Sequence, residues 1–127
     1  GKTITVYGSG DQTRDFTFVE DVVEANLLAA TREVPPGTVL NVAGGSHTSV
    51  NEVLEIFREL AGTELDVARI EAVAGDVRRT GGDTTAIRSM LGWQPKVSLR
   101  EGISRQYDWA AALVSAGSAP AAYGQRG

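Results

Sequence analysis

Arg14 is the side chain whose type and setting are best suited to chemistry. It follows the turn Gly8-Ser9-Gly10 and precedes Asp15, and a guanidinium at the mouth of a loop is a planar fork that clamps a phosphate through two parallel hydrogen bonds. The same residue also suits an exposed ion pair with Asp11 or Asp15, worth at most about 1 kcal/mol. Spacing leaves both uses open. Gly75-Asp76-Val77-Arg78-Arg79-Thr80 is the second candidate, a carboxylate able to accept hydroxyl donors beside two cations able to approach an anion. A merely solvated charged loop has the same composition. His47 is the one side chain whose ordinary titration falls near neutral pH, yet Gly44, Gly45 and Ser46 offer it no partner. It reads as a solvated loop residue rather than a general base.

The absences are sharper. With no cysteine and one histidine, thiolate chemistry and zinc sites are excluded. No tyrosine is followed four residues later by lysine, since Tyr7, Tyr107 and Tyr123 lead to Asp11, Ala111 and Gly127. There is no P-loop and no glycine-rich dinucleotide fingerprint after a strand, so the chain lacks a dinucleotide site of its own.

Those groups need elements to hold them. Residues 3–7, Thr-Ile-Thr-Val-Tyr, alternate with the two-residue period of a half-buried strand that ends at the glycine turn. Val19, Val22, Val23, Leu27 and Ala30 mark an apolar helical stripe, with Glu20 and Asp21 in its first turn and Arg32 at its end, charges that suit the helix dipole. Pro35-Pro36-Gly37 stops it, and residues 38–43, Thr-Val-Leu-Asn-Val-Ala, read as a short, largely buried strand. Ser49-Val50-Asn51-Glu52 is a capping box opening a helix with Val50, Val53, Leu54, Phe57 and Leu60 on one face and Gly62 as its stop. Residues 65–70 predict a further strand and residues 74–82 a polar loop. Asp83 caps a short helix carrying Ile87, Met90 and Leu91, closed by Gly92, after which Trp93 and Pro95 wedge its end against the core. A second Ser-x-x-Glu box at Ser98 and Glu101 opens a last helix to about Val114, and residues 115–127 carry too little apolar bulk to order.

Size and charge bound the rest. A chain of 127 residues, 42% hydrophobic and 22% charged, fits one ordinary domain, which buries roughly two-thirds of its unfolded surface without disulfides. Its net charge of −4 argues against nucleic-acid and anionic-membrane partners, which reward excess cations. No apolar run approaches the ~18 residues of a membrane span and no secretory signal is visible, so a cytoplasmic protein is expected.

Read in order, I-T-V-Y-G-S-G-D-Q-T-R-D-F-T-F-V-E-D-V-V-E-A, L-N-V-A-G-G, S-V-N-E-V-L-E-I, G-D-V-R-R-T-G-G-D and L-G-W-Q-P-K-V-S-L-R-E-G-I resemble the C-terminal part of extended short-chain dehydrogenases/reductases, the NAD-dependent nucleotide-sugar epimerases and dehydratases. The likeness runs over roughly residues 3 to 114. It implies an α/β fold, the C-terminal portion of an extended Rossmann-type protein with short strands, about four helices and no complete Rossmann domain. Residues 1–114 would form the nucleoside-diphosphate-sugar-binding region and residues 115–127 a tail.

In such enzymes NAD and a Tyr-x-x-x-Lys pair reside on the N-terminal Rossmann domain, so this chain would hold no cofactor itself and would be inactive alone. The resemblance places Thr5, Val6 and Tyr7 along the nucleobase, Arg14 on the diphosphate, Asp76 on the ribose hydroxyls, Arg79 close to the nucleotide and Ser49 near the phosphates. One departure stands out. Relatives read Arg-x-Gly-Asp where this chain reads Val73-Ala74-Gly75-Asp76, and loss of a charged hydrogen bond of about 1.5–3 kcal/mol weakens binding roughly tenfold to a hundredfold. Arg69, Arg78 and Arg79 are the candidates to compensate. The resemblance also sets residues 39–43 and the helix after Val19 against the missing cofactor domain, so the chain by itself is expected to form a homo-oligomer. The alternative is a non-catalytic, homo-oligomeric interaction module that keeps the scaffold without the ligand.

Overall fold

The computed structural model describes residues 2–117. In chain order its elements are β1 (Ile4–Tyr7), β2 (Thr13–Arg14), α1 (Val19–Thr31), β3 (Thr48–Ser49), α2 (Val50–Ala61), β4 (Val67–Ile70), α3 (Thr85–Leu91) and α4 (Leu99–Ser115). Of the expected tail, residues 118–127 lie outside the described residues. The strands form two small sheets. β1 pairs in parallel with β4, Ile4 opposite Val67 and Tyr7 opposite Ile70, while β2 pairs antiparallel with β3.

In β1 Val6 is buried and its neighbours Thr5 and Tyr7 are exposed, but Ile4, which alternation puts on the same face as Val6, is 37% exposed at the start of the strand. Residues 38–43 depart from expectation. They belong to no strand among the described residues, and Val39 is 88% exposed. The segment keeps one face inward, since Leu40 and Val42 pack on the core, but an extended segment becomes a strand only where a neighbour accepts and donates its backbone hydrogen bonds.

The local signals at helix ends are realised in detail. Ser49 Oγ accepts the Glu52 amide at 3.2 Å while a Glu52 carboxylate oxygen accepts the Ser49 amide at 2.7 Å, a complete capping box. Gly62 closes α2 in the left-handed conformation, φ +63, which any side chain would oppose. At α4 the box is half made. Ser98 Oγ accepts the Glu101 amide at 3.3 Å, but the Glu101 carboxylate turns to Arg105 at 2.5 Å. Asp83 accepts the Thr85 amide at 2.8 Å at the start of α3.

The core gathers Ala25, Ile87, Leu91 and Trp93, with Leu28, Val34, Leu40 and Val42 against them. The apolar stripe of α1 is largely turned away from this core. Of the apolar stripe, Val19, Val23 and Leu27 are 64%, 52% and 61% exposed, and the buried residues of the helix are Asp21 and Ala25. Periodicity marks a face that seeks apolar contact and is silent on which partner provides it. Buried Asp21 is fully employed: its carboxylate accepts the amides of Lys96 and Val97 at 3.0 and 3.2 Å, and its carbonyl accepts Trp93 Nε1 at 2.9 Å. The Trp93 wedge is thus hydrogen-bonded as well as packed.

Asp21→Ala removes the acceptor of two part-buried amide donors, at a cost of about 3 kcal/mol, against about 1 kcal/mol for removing the cap in Ser98→Ala; equal denaturant midpoints for the two variants would refute this role of Asp21. The Glu52 carboxyl is held below its ordinary value of 4.5 by the hydrogen bonds of the Ser49 hydroxyl and amide. Its contribution is therefore full above the unfolded carboxyl's range and fades as pH falls through the lower folded value. The stability difference between the chain and Glu52→Gln should shrink in denaturation curves taken below about pH 4.

Candidate functional site

Two parallel strands that end together leave their following loops to diverge, and a crevice opens between them. Here β1 runs into the turn at residues 8–12 and β4 into the loop at residues 71–79. The Gly8 amide donates to the Ile70 carbonyl at 2.9 Å, the last rung before the two part. Between them lies a cleft of about 510 Å³, lined by Tyr7, Gly8, Ser9, Asp11 and Gln12 on one wall and Ala72, Val73, Asp76 and Arg78 on the other. Positive φ at Gly8 and Gly10, +74 and +83, lets the first wall turn so sharply.

Arg14 is not itself among the lining residues; it reaches across 62 residues of sequence to Asp76, which is. Its Nη2 lies 2.6 Å from Asp76 Oδ1, and its Nη1 donates to the carbonyls of Val77 at 2.7 Å and Thr13 at 2.9 Å. The neighbouring carboxylates are occupied elsewhere: Asp15 accepts the amides of Gly44 and Gly45 at 2.7 and 3.1 Å, and Asp11 accepts the Asn51 carboxamide at 3.0 Å. An ion pair of Arg14 with either of them is therefore not made. β2 holds the far loop in register, the Thr13 amide donating to Arg78 O at 2.9 Å and the Thr80 amide to Thr13 O at 3.2 Å. That ladder is what brings Asp76 within reach. The two side chains remain 28% and 36% exposed, so the pair is accessible to a competing anion.

The other expected residues fall into two groups. Tyr7 lines the cleft and is 48% exposed; Thr5 is exposed on β1; Val6 is buried and offers a ligand only its backbone. Ser49 caps α2, its hydroxyl and amide both spent on Glu52, and does not line the cleft. Arg79 pairs by its backbone with Thr13 and also lies off the lining. Of the arginines facing the Val73 departure, Arg78 lines the cleft, whereas Arg69 is committed to Ser9 O and to Asn51 Oδ1, the latter at 2.9 Å.

Gln12 and Asp11 were not singled out as ligand groups from the sequence, although Gln12 lines the cleft with its Nε2 donating to Tyr7 O at 3.0 Å. The signal was present in the glycine turn that carries them. His47 is exposed and lies over Gly81, where an added Cβ would come within 2.8 Å of its ring, outside the cleft lining. Among the described residues no group of three or more histidine, aspartate or glutamate side chains could hold a metal ion, and no helix is long and apolar enough to cross a membrane.

Comparison with known proteins agrees with this architecture. A family model described as GDP-mannose 4,6 dehydratase matches residues 1–106. UDP-glucose 4-epimerase of Mycolicibacterium smegmatis is 36% identical over 109 residues, 86% of this chain and 34% of that protein. UDP-glucuronate 4-epimerase of Thermodesulfobacterium geofontis is 30% identical over 110 residues, 85% of this chain and 33% of its own length. Among solved structures, MoeE5 in complex with UDP-glucuronic acid and NAD superposes with a TM-score of 0.84 at 40% identity, covering 87% of this chain and 37% of that one. UDP-glucose 4-epimerase of Thermotoga maritima with UDP-glucose gives 0.82 at 33% identity, over 89% and 36%. The chain spans about a third of the length of the curated relatives it matches. With the fold, the ordered motifs and these relatives in agreement, the chain belongs to the extended short-chain dehydrogenase/reductase family of nucleotide-sugar epimerases and dehydratases.

Proposed function

We propose that this chain supplies the nucleoside-diphosphate-sugar-binding side of an NAD-dependent epimerase or dehydratase. The observation that carries the reading is the Arg14–Asp76 pair, 2.6 Å apart at a cleft beyond the carboxyl ends of two parallel strands. The pair suits a polyanion with an attached polyol. A diphosphate takes the guanidinium from Asp76, and the released carboxylate accepts ribose hydroxyls, so each partner trades one charge-assisted bond for another. Arg78 lines the same cleft and adds a cation where Val73 adds none. Relatives described with UDP-glucose or UDP-glucuronic acid support uridine nucleotides as the ligand class.

NAD supplies hydride transfer when it is bound, and this reading assigns its site to the cofactor domain. This chain binds and orients, and the effect of orientation on rate is realised only when a cofactor domain stands opposite. The exposed α1 stripe of Val19, Val23 and Leu27, together with Val39, is the surface for that domain, and in its absence for a second copy. The rival reading, a non-catalytic interaction module, draws on Val73 alone.

Calorimetric titration of UDP into the chain should give a dissociation constant near millimolar, about −4 kcal/mol. Arg14→Ala should weaken it by about tenfold or more, the value of one charged hydrogen bond. Indistinguishable isotherms would remove Arg14 from the site, and no heat at any UDP concentration would favour the rival. In sedimentation, self-association that rises with concentration should be reversed by Val23→Glu; a monomer at every concentration would remove the oligomer.

A further inference from the structure

The wall of the cleft made by residues 8–12 has no ladder of its own, and two of its five residues are glycines at positive φ. Such a segment keeps one shape only if something outside it does the holding. The start of α2 does so. The Asn51 amide donates to Gly10 O at 3.1 Å and the Val50 amide to Gln12 O at 3.2 Å. The Asn51 carboxamide donates to Ser9 O at 3.2 Å and to Asp11 Oδ1 at 3.0 Å. Its oxygen in turn accepts Arg69 Nη2 at 2.9 Å, while Arg69 Nη1 donates to Ser9 O. Gly10 is buried against this carboxamide so closely that an added Cβ would collide with it.

A helix N-terminus leaves its first amides without intrahelical partners, and these often bind anions. In α2 the amides of Val50 and Asn51 are taken by the wall and that of Glu52 by Ser49. The end of α2 therefore holds the binding wall and not the ligand.

We infer that Asn51 and Arg69 are positioning residues for nucleotide binding: acting as one unit, they hold the turn at residues 8–12 in the shape that completes the cleft, without touching the ligand. The role rests on the nucleotide-binding reading and deepens it. Arg69 thereby leaves the set of cations available to a phosphate. An unpinned turn lowers apparent affinity by the fraction of time the competent shape is populated.

The test uses the full chain with UDP as the probe. Asn51→Ala should leave α2 intact, since alanine favours helix more than asparagine, yet weaken UDP by about tenfold through the turn. Arg69→Met should do the same, and Asn51→Ala with Arg69→Met together should be little worse than either alone, because they act as a unit. Ser98→Ala, which destabilises the fold at α4, is the control and should bind UDP as the parent does. Amide exchange at residues 9–12 should quicken in both substituted chains and slow when UDP binds. Arg69→Lys separates a fork from a charge: full affinity in that variant would mean that Arg69 acts as a cation on the ligand, and the positioning role falls. UDP binding indifferent to Asn51→Ala and Arg69→Met also overturns it while leaving the nucleotide reading intact. Failure of the unsubstituted chain to bind UDP overturns both.

Discussion

The pairing of β1 with β4 is the constraint on which the remainder of this molecule rests. Parallel strands cannot be joined by a tight turn, so the chain must leave β1, travel through α1 and α2, and return alongside it. That route makes both strands end on the same side. The turn after Tyr7 and the loop after Ile70, more than 60 residues apart in sequence, become the two walls of one cleft. Every charged group assigned to the site stands on one of those walls or reaches it from β2. Without the parallel register, the same arginine and aspartate would be ordinary surface charges.

Within that frame the second sheet does a quieter job. β2 and β3 are two residues each, too short to stabilise anything alone. Their value lies in what they join: Thr13 meets Ser49 on one side and Arg79 on the other, so one short strand links the α2 cap to the loop that carries Asp76. The capping box therefore has two consequences. It starts a helix, and by fixing Ser49 it fixes the strand against which Arg14 is aligned.

Local features were legible in the sequence because their causes are local. The capping box at Ser49 and Glu52 and the glycine stops at Gly62 and Gly92 each need only neighbours within four residues, and each is present. Arg14 could be nominated from the turn before it, but its partner could not be chosen, since Asp11 and Asp15 were closer in sequence than Asp76. The choice was made by backbone acceptors elsewhere, where Gly44 and Gly45 took Asp15 and the Asn51 carboxamide took Asp11. A family resemblance nominates Arg14 and Asp76 for one ligand, but their pairing with each other is settled by that long-range competition.

The exposed stripe of α1 and the unpaired segment at residues 38–43 share one physical origin. Apolar periodicity records the desire of a face to leave water, and an extended apolar run records compatibility with a sheet; neither names the surface that satisfies it. Val23 and Leu27 repeat at helical spacing and are more than half exposed, while a carboxylate, Asp21, occupies the inward face because the amides of Lys96 and Val97 meet it with donors. Val39 is exposed for the same reason that Leu40 and Val42 are not: only one side of its segment meets this core. A chain matched to a third of its relatives' length would carry such faces, shaped for a partner surface rather than for its own interior. Under the proposed function, exposed apolar order of this kind is the counterpart of the cleft: the cleft would be one side of a binding site, and the stripe the surface that would meet the other.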